Sequence, residues 1–305
     1  MAYFLNKFLK ALLTLWIIFT VTFFATRLSG DAIDYILNEG GNPEARVAMI
    51  EYLGLDKPWL GQYFIAVKNI LKGDSGLSFY FRQPVMQLYA GRFAPTFTLC
   101  GLAVLVSFIL GIPLGILAAI KRNTLAGFLI QTSAFLGYAI PNFVLGILLI
   151  LLFSYHLQWL PSSGSDTWKH YVMPVATLAA FLLASLARFS RSAMLDVLSQ
   201  DYIRTARAKG LSEISVISIH SLRNALLTIV TVIGLQIAGL VSGAVVVESI
   251  FSWPGIGELL VFAAMKRDYP LLQTGVLLVG SIVILINLGV DIAYIFIDPR
   301  IKLKS

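Results

Sequence analysis

Residues 97–120 read FTLCGLAVLVSFILGIPLGILAAI, a run of 24 residues without one charged side chain. A bilayer crossing needs about 20 apolar residues at a rise of about 1.5 Å each. Five further stretches meet that description or come near it. They are about 8–26, a span within 125–154, 171–187 (the shortest), 225–247, and about 271–297, which Asn287 and Asp291 interrupt. The chain as a whole agrees with these windows. Of 305 residues, 58% are hydrophobic and 13% charged, with a mean hydropathy of +0.82. A soluble domain carries about 25% charge, so this chain lacks the polar residues to cover a water-facing surface. The same apolar excess excludes disorder. The expected fold class is an all-α polytopic membrane protein with six transmembrane helices.

The net charge of +7 is a topology signal. Lys7 and Lys10, Lys121 and Arg122, then Arg188, Arg191, Arg204, Arg207, Lys209 and Arg223, and finally Arg300, Lys302 and Lys304 put 13 basic residues on one side. The short loops of the other side carry only Lys169, Lys266 and Arg267. Lysine and arginine stay on the cytoplasmic side, so both termini are expected there. A lipid partner thus accounts for the basic balance, and no nucleic acid is invoked.

The first stretch resembles a signal peptide in having Lys7 and Lys10 ahead of an apolar core, but Ala25-Thr26-Arg27-Leu28 offers no small-residue cleavage pattern. It is read as a retained helix in an N-terminal segment 1–28. An extracytoplasmic loop subdomain, 29–95, follows. The loop from Arg27 to Pro95 holds seven basic and seven acidic residues, so it is not expected to cling to headgroups. Leu60, Phe64, Val67 and Leu71 fall on one helical face, and Gly73-Asp74-Ser75-Gly76 ends that helix. This subdomain is read as a cap on a five-helix core, 96–300, whose inward loop is 188–224.

The chain carries no chemistry of its own that the sequence reveals. G-x-x-x-x-G-K-[ST], H-E-x-x-H and G-x-S-x-G are all missing. Cys100 is the single cysteine, and His156, His170 and His220 fall in different loops. Asp291 and Glu248 are the only acids within or at the edge of a span, whereas a proton-driven pump would show a relay of them. The expectation is a non-enzymatic conduit that binds no cofactor or metal and is powered from outside.

The inward loop carries the functional reading. Ser199 is placed to cap a short helix over about 200–209, and Gly210 supplies the left-handed residue that ends it. Ala206 and Ala208 keep the helix slim for close approach to a partner, while Arg204, Arg207 and Lys209 add charge. A loop that merely touches headgroups would explain the basic residues but not the alanine and glycine.

This stretch resembles the EAA loop of ABC-importer permeases. Of the motif E-A-A-x-x-x-G, Ala206 and Gly210 are kept, while Arg204 and Thr205 replace the glutamate and first alanine. Tyr202-Ile203-Arg204-Thr205-Ala206-Arg207-Ala208-Lys209-Gly210-Leu211 is similar to the dipeptide/oligopeptide/nickel subfamily, although Thr228 stands where that subfamily often has proline. Leu53-Gly54-Leu55-Asp56-Lys57-Pro58, Gly73-Asp74-Ser75-Gly76, Phe251-Ser252-Trp253-Pro254-Gly255-Ile256-Gly257, Arg267-Asp268-Tyr269-Pro270 and Asp298-Pro299-Arg300 resemble its other signatures. Gly30-Asp31 resembles a P-G-D-P whose prolines are Ser29 and Ala32 here.

The resemblance implies a second homologous permease, two ATPase subunits that bind ATP and Mg, and an extracytoplasmic binding protein, all at a bacterial inner membrane. It implies an ATPase-coupling site at Asp201, Tyr202, Arg204, Thr205, Ala206, Arg207, Lys209 and Gly210. Short peptides, glutathione and nickel or a metal chelate are the substrate classes, in that order. The alternative is a stand-alone secondary transporter or channel. Four local expectations complete the reading. Trp253 anchors at the outer interface. Gly111-x-x-x-Gly115 and Gly239-x-x-x-Gly243 are close-packing faces. Pro113 and Pro141 kink their helices. Asn287 and Asp291, at i and i+4, form an intrabundle polar pair involving Arg188 or Arg191.

Overall fold

The computed structural model describes residues 2–28, 47 and 56–297. Among them there is no β-strand, only one isolated bridge between Leu77 and Pro84. The helices are α1 (Ala2–Leu28), α2 (Trp59–Leu71), α3 (Val85–Ala90), α4 (Phe93–Ile120), α5 (Leu125–Ala139), α6 (Asn142–Leu149), α7 (Trp168–Leu198), α8 (Asp201–Ala208), α9 (Leu222–Ile250), α10 (Ile256–Met265) and α11 (Tyr269–Ile297). Four helical stretches are long and apolar enough to cross a membrane: Leu5–Leu28, Val85–Ile120, Trp168–Leu198 and Tyr269–Ile292. The Leu53-Gly54-Leu55, Gly30-Asp31 and Asp298-Pro299-Arg300 motifs and the basic C-terminal tail lie outside the described residues.

Two spans, the third and the fourth, differ from the sequence reading. The third is a broken pair, α5 and the helical stretch Asn142–His156, bent by 105°. Pro141 is the break point: it has no N–H to donate and excludes helical geometry from Ile140, which is extended at ψ 122°. Pro113, by contrast, stays inside a continuous α4. The fourth span, read as the shortest, is a 31-residue helix that runs on to Leu198. Charged residues do not stop a helix; they only leave the apolar window. Thr167 starts it through a reciprocal cap with His170, whose Nδ1 lies 2.9 Å from the Thr167 hydroxyl. The fifth stretch forms α9, 29 residues long, of which Gln236–Ile250 is the described apolar part.

The chain divides into two compact units. One takes the described parts of Met1–Ala94 and Pro254–Ile282. Its fixed point is Asp268, whose buried carboxylate accepts hydrogen bonds from the Ser78 hydroxyl at 2.5 Å, Tyr80 N–H at 3.1 Å and Leu271 N–H at 3.3 Å. The last of these caps α11. Asp74 accepts from Gly76 N–H at 2.9 Å, and Gly73 and Gly76 both take φ of +78°, so the Gly-Asp-Ser-Gly motif builds the turn that delivers Ser78. On α2, Leu60, Phe64 and Leu71 are exposed.

The other unit comprises Pro95–Trp253 and the described part of Val283–Lys304. α7 is its central helix. Leu178, Leu182 and Leu186 of α7 meet Leu99 and Ala103 of α4 and Ala244 and Val247 of α9 in one apolar core. The first glycine pair is a close-packing face: a Cβ on Gly111 would lie 2.9 Å from Leu186 Cβ, and one on Gly115 would lie 2.5 Å from the Ala187 carbonyl oxygen. At the second, a Cβ on Gly243 would lie 3.5 Å from Leu178 Cδ1, an ordinary contact, and one on Gly239 would meet nothing within 4 Å among the described residues. Outward-facing Leu105, Ile109, Phe128 and Phe135 stay exposed, as lipid-facing side chains do.

Trp253 sits in that core, fully buried. Its indole N–H donates to the Pro95 carbonyl at 3.2 Å, and Tyr171 meets its ring edge-on at 4.5 Å between centroids. It is a packing residue and not an interfacial anchor, because the turn after α9 folds back onto the bundle. Glu248 is likewise fully buried, accepting from Thr96 Oγ1 at 2.7 Å.

Candidate functional site

The loop between α7 and α9 holds the predicted residues. Ser199 ends α7 as its C-cap, and its hydroxyl donates to the Asp196 carbonyl at 2.8 Å. The N-cap of α8 is Gln200, so Ser199 does not cap the helix that follows. The physical reason is that α7 runs three turns further than its apolar window. α8 then spans eight residues, and Lys209 and Gly210 close it, Gly210 at φ +78°. That left-handed φ is open to glycine and costs other residues about 1–2 kcal/mol.

The short helix is two-faced. Ile203 is fully buried and Ala206 nearly so, and both pack against Val216, flanked by Val197 and Leu198. Ala206 therefore packs into the loop's own core. Val216 belongs to a π-helical stretch, Val216–Ser221, that leads from a single turn at Glu213–Ser215 into α9. The opposite face presents Asp201, Arg204, Thr205 and Ala208, all exposed. At 100° per residue these four fall on one arc, with Ala208 and Asp201 at its centre, Thr205 and Arg204 at its edges, and an Asp201–Arg204 ion pair of 3.4 Å across it. Thr205 turns its hydroxyl back to the Asp201 carbonyl at 3.0 Å. Lys209 is exposed at the end of the helix.

Two bonds fix α8 against the chain that follows. Arg207 forms a bidentate pair with Glu213, Nη2–Oε1 at 2.6 Å and Nε–Oε2 at 3.1 Å, which bridges the Gly210 turn. The hydrogen bond from Arg207 holds the Glu213 carboxyl below the usual carboxylate range, and the same bond raises Arg207. Asn224 Nδ2 donates to Tyr202 Oη at 3.0 Å and to the His220 carbonyl at 3.0 Å. Glu213 and Asn224 escaped the sequence reading. The signal for Glu213 was its position six residues after Arg207 across a glycine turn.

Asn287 and Asp291 lie one turn apart on α11, Asn287 exposed and Asp291 half-buried. The Arg188 guanidinium rests 4.6 Å from the Tyr138 ring centroid.

A family model described as binding-protein-dependent transport system inner membrane component matches residues 111–303, which include the whole α7–α9 loop. The glutathione transport system permease protein GsiC of Escherichia coli K12 is 44% identical over 307 residues, covering 99% of both chains. The GsiC of Shigella flexneri serotype 5b is 43% identical with the same coverage. Among solved structures, the inward-facing MetNI methionine ABC transporter superposes with a TM-score of 0.61 at 18% identity, over 70% of this chain and 98% of that one. That likeness supports the fold, and a stand-alone transporter or channel is not favoured. By the family match and these relatives, the chain belongs to the binding-protein-dependent transport system inner membrane components, as an ABC-importer permease of the peptide/oligopeptide group.

Proposed function

We propose that this permease carries glutathione through an ATP-driven importer, in company with a second permease, two ATPase subunits and an extracytoplasmic binding protein. One observation carries the substrate: 44% identity, end to end, to relatives named as glutathione permeases. Glutathione is itself a short peptide, so this reading sharpens the peptide expectation. Recognition is assigned mainly to the binding protein, since few charged groups lie in the spans. The reading counts six crossings, with the broken α5–α6 pair and α9 each counted once, and the excess of basic residues on one side supports both termini and α8 in the cytoplasm. There the arc of Asp201, Arg204, Thr205 and Ala208 meets the ATPase, while Tyr202, Arg207, Lys209 and Gly210 hold that arc in place. Nucleotide binding favours the closed ATPase pair and so shifts the population from the inward- to the outward-facing path. Asn287 and Asp291 serve as a polar pair within the assembled bundle, not as a substrate site.

Reconstitution of the chain with its partners in proteoliposomes tests both parts. ATP-dependent uptake of labelled glutathione is expected, exceeding that of dipeptides and of nickel. Uptake of a dipeptide or nickel with none of glutathione refutes the substrate. Ala208→Trp, on the exposed arc, is expected to abolish uptake and the stimulation of ATP hydrolysis while leaving membrane insertion intact. Undiminished uptake by that variant refutes the docking face.

A further inference from the structure

The helix α2 has its polarity reversed for a segment bathed in water. Gln62, 5% exposed, and half-buried Asn69 face the protein, whereas Leu60, Phe64 and Leu71 are 65%, 67% and 82% exposed. The inward polar face is well satisfied. Gln62 Nε2 donates to the Lys57 carbonyl at 2.9 Å, and its Oε1 accepts from Arg27 Nε at 2.8 Å. At 100° per residue, Leu60, Phe64, Val67 and Leu71 fall within about 60° of arc, so the outward apolar residues form a stripe.

The packing of α2 on α1 gives the depth of this stripe. Tyr63 lies within hydrogen-bond distance of Thr20, Oη to Oγ1 at 2.8 Å, and its ring packs on Phe19, Phe23 and Phe24 with centroids 5.4–5.9 Å away. Thr20 stands eight residues before the end of α1 at Leu28, or about 12 Å along the axis. The contact therefore lies inside the apolar stretch of α1 and not beyond its end. Val21 and Leu28, 62% and 73% exposed, carry the lipid-facing surface of α1 up to the same level.

We propose that α2 is a membrane-surface helix, with Leu60, Phe64 and Leu71 inserted among the acyl chains of the leaflet in which α1 ends. An apolar stripe with a polar reverse side is what such helices present. Here the reverse side is occupied by protein instead of water. Trp59, half exposed at the start of α2, sits where interfacial indoles belong. Lys57, Lys68 and Lys72 are exposed along the rim, placed to reach headgroup phosphates on their long stems, with Asp56 and Asp74 beside them. The neutrality of the whole 27–95 loop does not oppose this, because burial of the apolar stripe supplies the attachment. The inference depends on α1 crossing the membrane and not on the identity of the substrate.

The test uses single cysteines at positions 60, 64 and 71, and at exposed Gln83 as a reference, each labelled with an environment-sensitive fluorophore. The full chain is assembled with its partner subunits in nanodiscs, and labelled wild type corrects for the buried Cys100. Nitroxide-bearing lipids are expected to quench the labels at 60, 64 and 71, with blue-shifted emission and little quenching by aqueous iodide; position 83 shows the reverse. Quenching by iodide but not by lipid at 64 and 71 overturns the proposal in favour of a water-facing helix. Resistance to both quenchers overturns it in favour of a protein partner covering the stripe. Either result leaves the transport assay above unaffected, so the two readings fail separately.

Discussion

Replacing Gly115 by alanine adds one methyl group at the tightest described approach between α4 and α7. The added Cβ would lie 2.5 Å from the Ala187 carbonyl oxygen and 2.6 Å from Ser190 Cβ, where ordinary contacts begin near 3.4 Å. Both obstacles are firm: one is backbone, and the other is the first side-chain atom of a fully buried residue. The two helices must separate by several tenths of an ångström, at a cost of about 1–3 kcal/mol. For a chain of this size that corresponds to a fall of roughly 2–12 °C in Tm at about 2–4 °C per kcal/mol. The matched control is Gly239→Ala, where nothing lies within 4 Å and the better helix former gains about 0.5–1 kcal/mol. Cys100, the single cysteine and buried on α4 itself, is a built-in reporter. A thiol-reactive dye that fluoresces on binding follows its exposure as detergent-solubilised protein is heated. Gly115→Ala is expected to melt well below wild type and Gly239→Ala at or slightly above it. Equal midpoints for Gly115→Ala and wild type would refute the claim that this face is closely packed.

Other outcomes follow from the same geometry. Asp268→Ala removes a buried carboxylate that accepts three hydrogen bonds, each worth about 1.5–3 kcal/mol; limited proteolysis is expected to cut at 77–83 in the variant and not in wild type. Gly210→Ala should cost about 1–2 kcal/mol for the left-handed φ, lowering transport partially, while Gly210→Pro, which cannot adopt φ +78°, abolishes it. Because Arg207 holds Glu213 below the usual carboxylate range, the pair contributes at neutral pH and is lost as pH falls through the depressed value. NMR titration of Glu213 is expected to show a normal midpoint in Arg207→Gln and a lower one in wild type. Ala206→Asp buries an unpaired charge beside Ile203 and Val216, so it should unfold the loop, detectable as protease sensitivity at 199–215, and not simply block docking.

The apolar windows gave the existence of the helices because lipid contact leaves a compositional trace. They gave the length of α7 badly, since that helix continues past its apolar part once backbone bonding and local packing take over. Residue type alone placed Trp253 at an interface, whereas a long-range bond to Pro95 decides its position. The same limit explains Ala206: its smallness was legible, but the neighbour that smallness serves, Val216, lies ten residues on and inside the same chain. Gly210 was readable because a positive φ leaves few alternatives. The reversed face of α2 was visible as a stripe, yet which side of the stripe the protein keeps is decided by Arg27 and Tyr63, through contacts that no period in the sequence encodes.

The bond between Ser78 and Asp268 joins positions 190 residues apart. At about 5–20 residues per second of synthesis, the hydroxyl and the Tyr80 amide emerge roughly 10–40 s before their acceptor exists. Until residue 268 is made, that turn lacks its carboxylate acceptor, and a chain cut short before it never acquires one. The 78–80 turn is thus among the last local features of the described chain to acquire its full set of hydrogen bonds during synthesis.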